Sequence, residues 1–569
     1  MREPFRAFFD TANFAQLRAA ANIVRYPHQF CRRECNRKLL MGLVAGDRGA
    51  AALVRSLCRI QDRLAQYLPL AGCRHLWVDR GRYLNTLGIE TELDVASAGA
   101  EARLRNRLHE QFNTRIFEGV LDQIPQSNDG LPEVEALHLA AASSWLSDHL
   151  ALVVLGIAAA RVDPTSGSVT VGPAGESARK HLRRVWFGSA FEQQSLLAAS
   201  TMLQNVVYAA VNPAAYGGDR QELFYQALTV FPQHWRLPVD SGPVAELLPN
   251  HLIPLMQILI NVVAAHAFSR PPILYRREQA AELGAGEVFE MVRDMQASVP
   301  LIDRLFDVVD DGLVLGPRGL APGVITIAEH FAERVLGEGW HGKVSPHQER
   351  YILERLSRCS HLKVFDLELR QHDTTDNVAL DVDFMVRDQL HEMIYAVQLK
   401  HFKASNKSGM LSWISRFRER DEELGKAMQQ LENLRHLIAS DEKIRSKLVD
   451  NGVSPSDFDS IIPVVLHNVG PLDFWEMQSG VLLYDTGTFC NVLAGRSSTF
   501  VGGGGGKIFT GARDGFPECG PSLHDPESVI AAYLADRDYV SLKSFDLAAR
   551  VVRTLVIHDE HVIAQGLGI

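Results

Sequence analysis

Positive charge is in short supply in this sequence: 58 lysines and arginines stand against 68 acids, for a net charge of −10. The chain as a whole therefore exerts no general pull on nucleic acid, and any such contact must come from a local basic patch. Cysteine is scarce as well, with seven residues at positions 31, 35, 58, 73, 359, 490 and 519 and no CxxC pair. An odd, scattered set argues against a disulfide scaffold. Cys31 and Cys35 lie four apart, but no second pair follows to complete a zinc site, and reduced thiols in a cytoplasmic protein are the expectation. The N-terminus, MREPFRAFFDTANFAQLRAA, lacks the continuous apolar core of a signal peptide. Between Glu246 and Arg270 there is no Lys, Arg, Asp or Glu, yet Pro254, Gln257, Asn261 and His266 interrupt the apolar run. A buried helix at the centre of a helical domain is expected there, not a membrane span. HExxH and GxSxG are both missing, so neither a zincin nor an α/β-hydrolase is suggested. VGGGGGKIF fails as a phosphate loop twice, because Val501 stands where the first glycine belongs and Ile508 follows the lysine. A flexible linker or mobile loop is expected instead. His558 and His561 have ligand-compatible spacing without evident partners and read as a polar turn.

What is present is ordinary in composition: 46% hydrophobic and 22% charged residues in 569, enough for about two to four domains. Up to about residue 335 the pattern reads as helical almost throughout. Ala50–Tyr67, Gly99–Gln123, Leu137–Val162 and Gln194–Val211 are Ala- and Leu-rich with apolar residues three and four apart. Clusters such as DPTSGSVTVGPAGE and NPAAYGGD separate them as turns, and GLVLGPRGLAPG reads as a boundary loop.

The character changes near residue 346. Ser345 is placed to cap a helix starting at Pro346. LKVFDLELR, ALDVDFMVR and MIYAVQLKHF then read as strands, a long helix is expected from Leu411 to Leu448, and two further apolar runs follow as strands. The order α-β-β-β-α-β-β describes a mixed sheet flanked by helices. Residues 501–569 are expected to be a glycine-rich linker and a helix–strand section that either completes the mixed sheet or forms a small appendage.

Within the strands, alternation puts Leu380, Val382, Phe384 and Val386 on one face and Asp381 and Asp383 on the other. On the next strand Ala396, Gln398 and Lys400 share a face, and a hairpin through VRDQLHE brings Asp383 beside Gln398. Carboxylate and amide oxygens suit a hard divalent ion, which polarises a phosphate and acidifies a bound water. A nearby ammonium offsets the charge that builds in the transition state.

Asp383 in LDVDFMV followed by Gln398-Leu399-Lys400 in IYAVQLKHF, in this order of elements, resembles the PD-(D/E)xK nuclease superfamily. The resemblance covers about 160 residues and implies a fold of two parts: a large all-helical N-terminal region (1–335), then a restriction-endonuclease-like domain (340–500). It implies a metal-dependent phosphodiesterase, with Asp383, Gln398 and the Leu399 carbonyl as ligands of Mg²⁺ or Mn²⁺ and Lys400 as the catalytic lysine. Glu349, preferred to Glu354, would be the glutamate of the first helix, and Gln430 the glutamine of the helix after the lysine strand. The family's usual acid before the lysine is here Gln398, a neutral and poorer ligand.

Residues 398–418 hold Lys400, Lys403, Lys407, Arg416 and Arg418 with no acid, interleaved with Phe402, Trp413 and Phe417. Such a stretch suits a phosphate backbone and a stacked base. Three readings stand: a nuclease acting on DNA, with a prokaryotic defence role as an association only; a nuclease-fold module that binds nucleic acid or serves as a scaffold without cutting; and a helical region that is itself the functional part, as a protein-interaction or homo-oligomer platform.

Overall fold

A computed structural model of the chain describes residues 14–25, 30–67, 90–92, 130–214, 216–268, 274–299, 304–316, 319–365, 367–372, 378–402, 423–477, 479–504, 507–514, 520–535, 552–557 and 559–565. The helices Phe14–Arg25, Glu34–Leu43 and Arg48–Tyr67 precede a short strand β1 (Glu90–Glu92). The helix Gly130–Val154 leads into a hairpin, β2 (Ala158–Val162) and β3 (Val169–Pro173). A single helix through Val162 was the expectation from composition, and the structure corrects it. Gly156 takes φ 73°, and the Ile157 and Gly156 amides return to the carbonyls of Leu152 and Val153. That is a Schellman stop, which a glycine makes without steric cost.

A 36-residue helix, Glu176–Val211, crosses to a second helical layer. This layer includes Arg220–Leu228, a one-turn 3-10 helix Gln233–Trp235, Gly242–Leu247, Ile253–Phe268, Arg277–Glu282 and Gly286–Ser298. Strands β4 (Tyr275–Arg276), β5 (Phe306–Val309) and β6 (Gly312–Leu315) form a small sheet in the order β4-β6-β5, and the helix Leu320–Leu336 closes the layer. Among the described residues one helix, Gly242–Ala265, is long and apolar enough to cross a membrane. Its Leu252, Leu255, Met256, Leu259 and Val263 are buried in this layer's core. The region expected to be all-helical thus carries six strands among its described residues. Short β-branched runs between glycines, as in SVTVG and GLVLG, were hidden inside the segments read as turns.

The helix Trp340–Ser357 begins six residues before the expected start, with Pro346 inside it. Trp340 is buried 5.2 Å from the Trp235 ring, so packing draws the first turn into the core ahead of the proline. Strands β7 (Leu362–Phe365), β8 (Leu369–His372), β9 (Val378–Val382), β10 (Phe384–Asp388) and β11 (Met393–Leu399) follow. Then come the helices Glu423–Ser440 and Glu442–Asp450, which split the expected single helix. Asp441 accepts from the amides of Lys443 and Ile444 and caps the second. Strands β12 (Ile461–His467), β13 (Trp475–Glu476) and β14 (Leu482–Asp485) and the helix Thr486–Leu493 complete this part.

The central sheet runs β13-β14-β12-β11-β10-β7. β11, β12 and β14 are parallel, and β10 and β13 pair antiparallel at the flanks. One face, with Met385, Ile394, Ala396 and Val465, packs on Leu424, Leu431 and Leu434 of the Glu423–Ser440 helix. The other, with Phe384, Val386, Val397 and Leu466, packs on Ile352 and Leu356 and on Phe489 and Leu493. Coarsely, the molecule is a mixture of helices and several sheets, with helices on both faces of the largest.

Gly502–Gly504 of the glycine run, expected as a linker or mobile loop, are the last residues of β15 (Arg496–Gly504), which pairs antiparallel with β16 (Lys507–Asp514). After the helix Pro526–Ala535, β17 (Val552–Ile557) and β18 (Glu560–Gln565) join the N-terminal hairpin in a sheet of order β1-β17-β18-β3-β2. The C-terminal strands therefore complete neither the central sheet nor a separate appendage. β18 pairs with residues 169–171 in parallel, and β17 lies antiparallel between β18 and β1.

Candidate active site

Asp383 interrupts the strand in which it was expected to sit. β9 ends at Val382 and β10 begins at Phe384. The Asp383 amide donates to the Val397 carbonyl at 2.9 Å, while its carboxylate accepts the Leu399 amide at 2.6 Å. A side chain thus takes a rung that the backbone ladder would have filled, and the chain switches faces there. Leu380 and Val382 pack in the same core as Met385, whereas Phe384 and Val386 lie on the opposite face. The expected single apolar face from 380 to 386 is corrected accordingly.

The hairpin does bring Asp383 to the Gln398 position. β10 and β11 pair with Phe384 opposite Val397, one step from Asp383 and Gln398. Gln398 is fully buried. Its Nε2 donates to Asp381 Oδ2 at 3.1 Å and to Gln430 Oε1 at 2.8 Å, which uses both amide hydrogens. Gln430 comes from the Glu423–Ser440 helix and is itself buried. The Gln398 carbonyl oxygen is left buried with no hydrogen-bond partner among the described residues. A carbonyl in that state loses its hydration without compensation, which is costly unless a cation or donor meets it.

Burial pushes the Asp383 carboxyl up to about 6, against the pull of the Leu399 amide; the Asp381 charge adds to the rise and Lys400 opposes it. Lys400 follows β11, half-buried, with its amide on the Leu466 carbonyl at 2.8 Å. Leu399 ends the strand with its side chain buried.

The first helix presents Val344, Gln348, Ile352 and Leu356 as its buried stripe. Glu349 is half-buried, one residue off that stripe. The polar group this turn sends inward is Gln348, whose Nε2 lies 2.9 Å from His401 Nδ1. Lys403, Lys407, Trp413, Arg416 and Arg418 lie outside the described residues.

No family model, curated protein or solved structure matches the chain. The site is therefore read from its own chemistry. Among the described residues no group of three or more His, Cys, Asp or Glu is arranged to hold a metal ion. The available donors are oxygens of fewer acids: the Asp383 carboxylate and the orphaned Gln398 carbonyl, with Asp381 behind. By donor type alone that set suits Mg²⁺, which keeps several waters and takes only one or two protein carboxylates. It does not fit zinc, which wants nitrogen or sulfur donors and a closed site.

Sequence reasoning missed three polar residues around this strand end. Arg370 lies across from Asp381 in the β8–β9 pair, and only the strand register reveals it. Asn468 and Gln348 carry no motif; they become visible once the chain end of β11 is placed.

Proposed function

We propose that this protein is a cytoplasmic divalent-metal-dependent nuclease whose 340–500 region has a PD-(D/E)xK-type core and hydrolyses phosphodiester bonds in DNA. The observation that carries the reading is the buried Gln398 carbonyl oxygen, without a hydrogen-bond partner among the described residues, on the strand that pairs next to Asp383 and two residues before Lys400. Asp383 and Gln398 would hold the ion, with the Leu399 carbonyl as a further candidate ligand. When bound, Mg²⁺ or Mn²⁺ supplies Lewis acidity to the phosphate and lowers the pKa of a coordinated water.

The chain's own groups do the rest. Asp381 and Gln430 fix the Gln398 amide so that its oxygen, not its nitrogen, faces the site. Lys400 orients the attacking water and offsets the negative charge that gathers on the phosphate oxygens. Basic residues 403–418 hold the backbone of the nucleic acid.

The test is cleavage of plasmid, linear duplex and single-stranded DNA with Mg²⁺ or Mn²⁺. The expected result is metal-dependent cutting that Asp383→Ala and Lys400→Ala each reduce by about a hundredfold or more. Undiminished cutting by either folded variant would sink the assignment. The neutral Gln398 and the small number of acids favour one second reading, a module that binds DNA without cutting it. Salt-sensitive binding with no turnover in any divalent metal would select that one.

A further inference from the structure

We propose that the helical layer positions the candidate catalytic strand, through a clamp made by Asn468 and the 3-10 turn Gln233–Trp235. β11 ends at Leu399, and a chain leaving a sheet is ordinarily free to sway. Here each of the next residues is held. The amide of Lys400 reaches Leu466, and the His401 ring meets Gln348 at 2.9 Å. Phe402 is held at both ends of its peptide unit. Its amide donates to Asn468 Oδ1 at 2.9 Å, and its carbonyl accepts from Asn468 Nδ2 at 2.8 Å. The Asn468 side chain thus supplies the rung that the β11–β12 ladder lacks.

Asn468 is buried and its second amide hydrogen goes to the His234 carbonyl at 3.1 Å. His234 Nε2 lies 2.8 Å from the Phe402 carbonyl and 2.9 Å from Asn468 Nδ2, and the tautomer with its proton on that nitrogen donates to the carbonyl. The neighbours of His234 dock on the same edge. The Trp235 carbonyl accepts from Gln348, and Arg236 donates to Asp485 at 2.7 Å, at the end of β14. Arg236 takes φ 54°, a left-handed conformation that costs a non-glycine residue about 1 kcal/mol or more. His234 and Arg236 therefore sit at the carboxyl ends of β11, β12 and β14, with Trp235 between them held by Gln348 of the neighbouring helix. That is the edge of a parallel sheet where sites form.

Buried amides spent on a backbone add geometric definition where apolar packing would not. The consequence is that the Lys400 ammonium owes its place to residues 234–236, more than a hundred positions upstream. This inference rests on the nuclease reading for its catalytic part only.

The experiment compares the full-length chain with Asn468→Ala, His234→Ala and His234→Gln, by residue-resolved amide hydrogen exchange and by steady-state cleavage of plasmid with Mg²⁺. Asn468→Ala is expected to speed exchange at Phe402 by about tenfold or more while Tyr395–Val397 stay protected. It should lower kcat by about ten- to a hundredfold with KM little changed. His234→Ala should do the same more weakly, and His234→Gln, which keeps a donor for the Phe402 carbonyl, should restore most of both. Loss of protection across the whole sheet, or a full kcat in Asn468→Ala and His234→Ala, would overturn the proposal. If the wild-type chain cuts no DNA, the nuclease reading fails. Exchange then decides the clamp alone: a local rise at Phe402 supports it, and no rise defeats it.

Discussion

Gln398 and Asp383 are adjacent and carry opposite debts. The amide has satisfied its donors and left its acceptor bare. The carboxyl is pushed up to about 6, chiefly by burial. An acid whose folded pKa is raised binds a proton that the unfolded chain has already released. Its contribution to stability is therefore complete below the ordinary range near 4 and is lost as the pH rises through about 6. Asp383→Asn keeps an oxygen for the Leu399 amide and removes the charge. The variant should be more stable than wild type by about 1–2 kcal/mol at pH 7.5, allowing for partial exposure. The advantage should vanish below about pH 4. Denaturant titrations across that window check it, and a constant difference at all pH values would show that the charge is not the cause. Such a gain on losing a polar group is what a functional site shows when it trades stability for chemistry. The residues of this pair were legible in the sequence, because alternation and a hairpin suffice to juxtapose them. The amide orientation was not, since it depends on Gln430 arriving from a helix 32 residues later.

Among the elements, those with strong local signals kept their expected identity, and their ends moved. The helix ending at Val154, the early start at Trp340 and the break at Asp441 each have a local agent: a left-handed glycine, a buried tryptophan and a capping carboxylate. The interruption at Asp383 is the most informative, because it converts a regular strand into a kinked one and changes which residues face the core. One further element boundary is set by contact between backbones. A Cβ on Gly188, within the helix Glu176–Val211, would come 2.0 Å from the Gly470 carbonyl oxygen. Neither backbone can yield cheaply, so the helix must shift from the 3-10 turn Gly470–Leu472 that it packs against. Gly188→Ala should cost about 3 kcal/mol by equilibrium unfolding. A loss below about half a kcal/mol would mean that the helix slides freely there.

Across the whole molecule, the two ends of the described chain meet. Arg59 forms a two-pronged ion pair with Glu560, one prong at 2.8 Å, and β18 lies parallel to β3. Burial would push the Glu560 carboxyl up, but Arg59 outweighs it with help from Ser56, and the net shift is downward. The sign is opposite to that of Asp383: this contribution is present above the ordinary glutamate range and is lost as the pH falls through the lowered value. Glu560→Gln should therefore cost about 1 kcal/mol at pH 7, reduced because Arg59 is half-exposed, and markedly less at pH 3. Thermal unfolding of both chains at the two pH values measures it; an equal deficit at both would assign the effect to packing.

The sequence by itself determined the succession of strands that follows the helix Trp340–Ser357. It also determined the apolar alternation of β10 and β11 and the placing of Asp383 against Gln398-Leu399-Lys400, because these follow from side-chain period and short loops. Only the tertiary structure decided that β17 and β18 return to β3, that Asp381 and Gln430 fix the Gln398 amide, and that Asn468 and His234 hold the chain beyond Lys400. Those contacts join residues tens to hundreds of positions apart. They arise from burial and from the need of each desolvated polar group for a partner, and neither leaves a periodic trace along the chain.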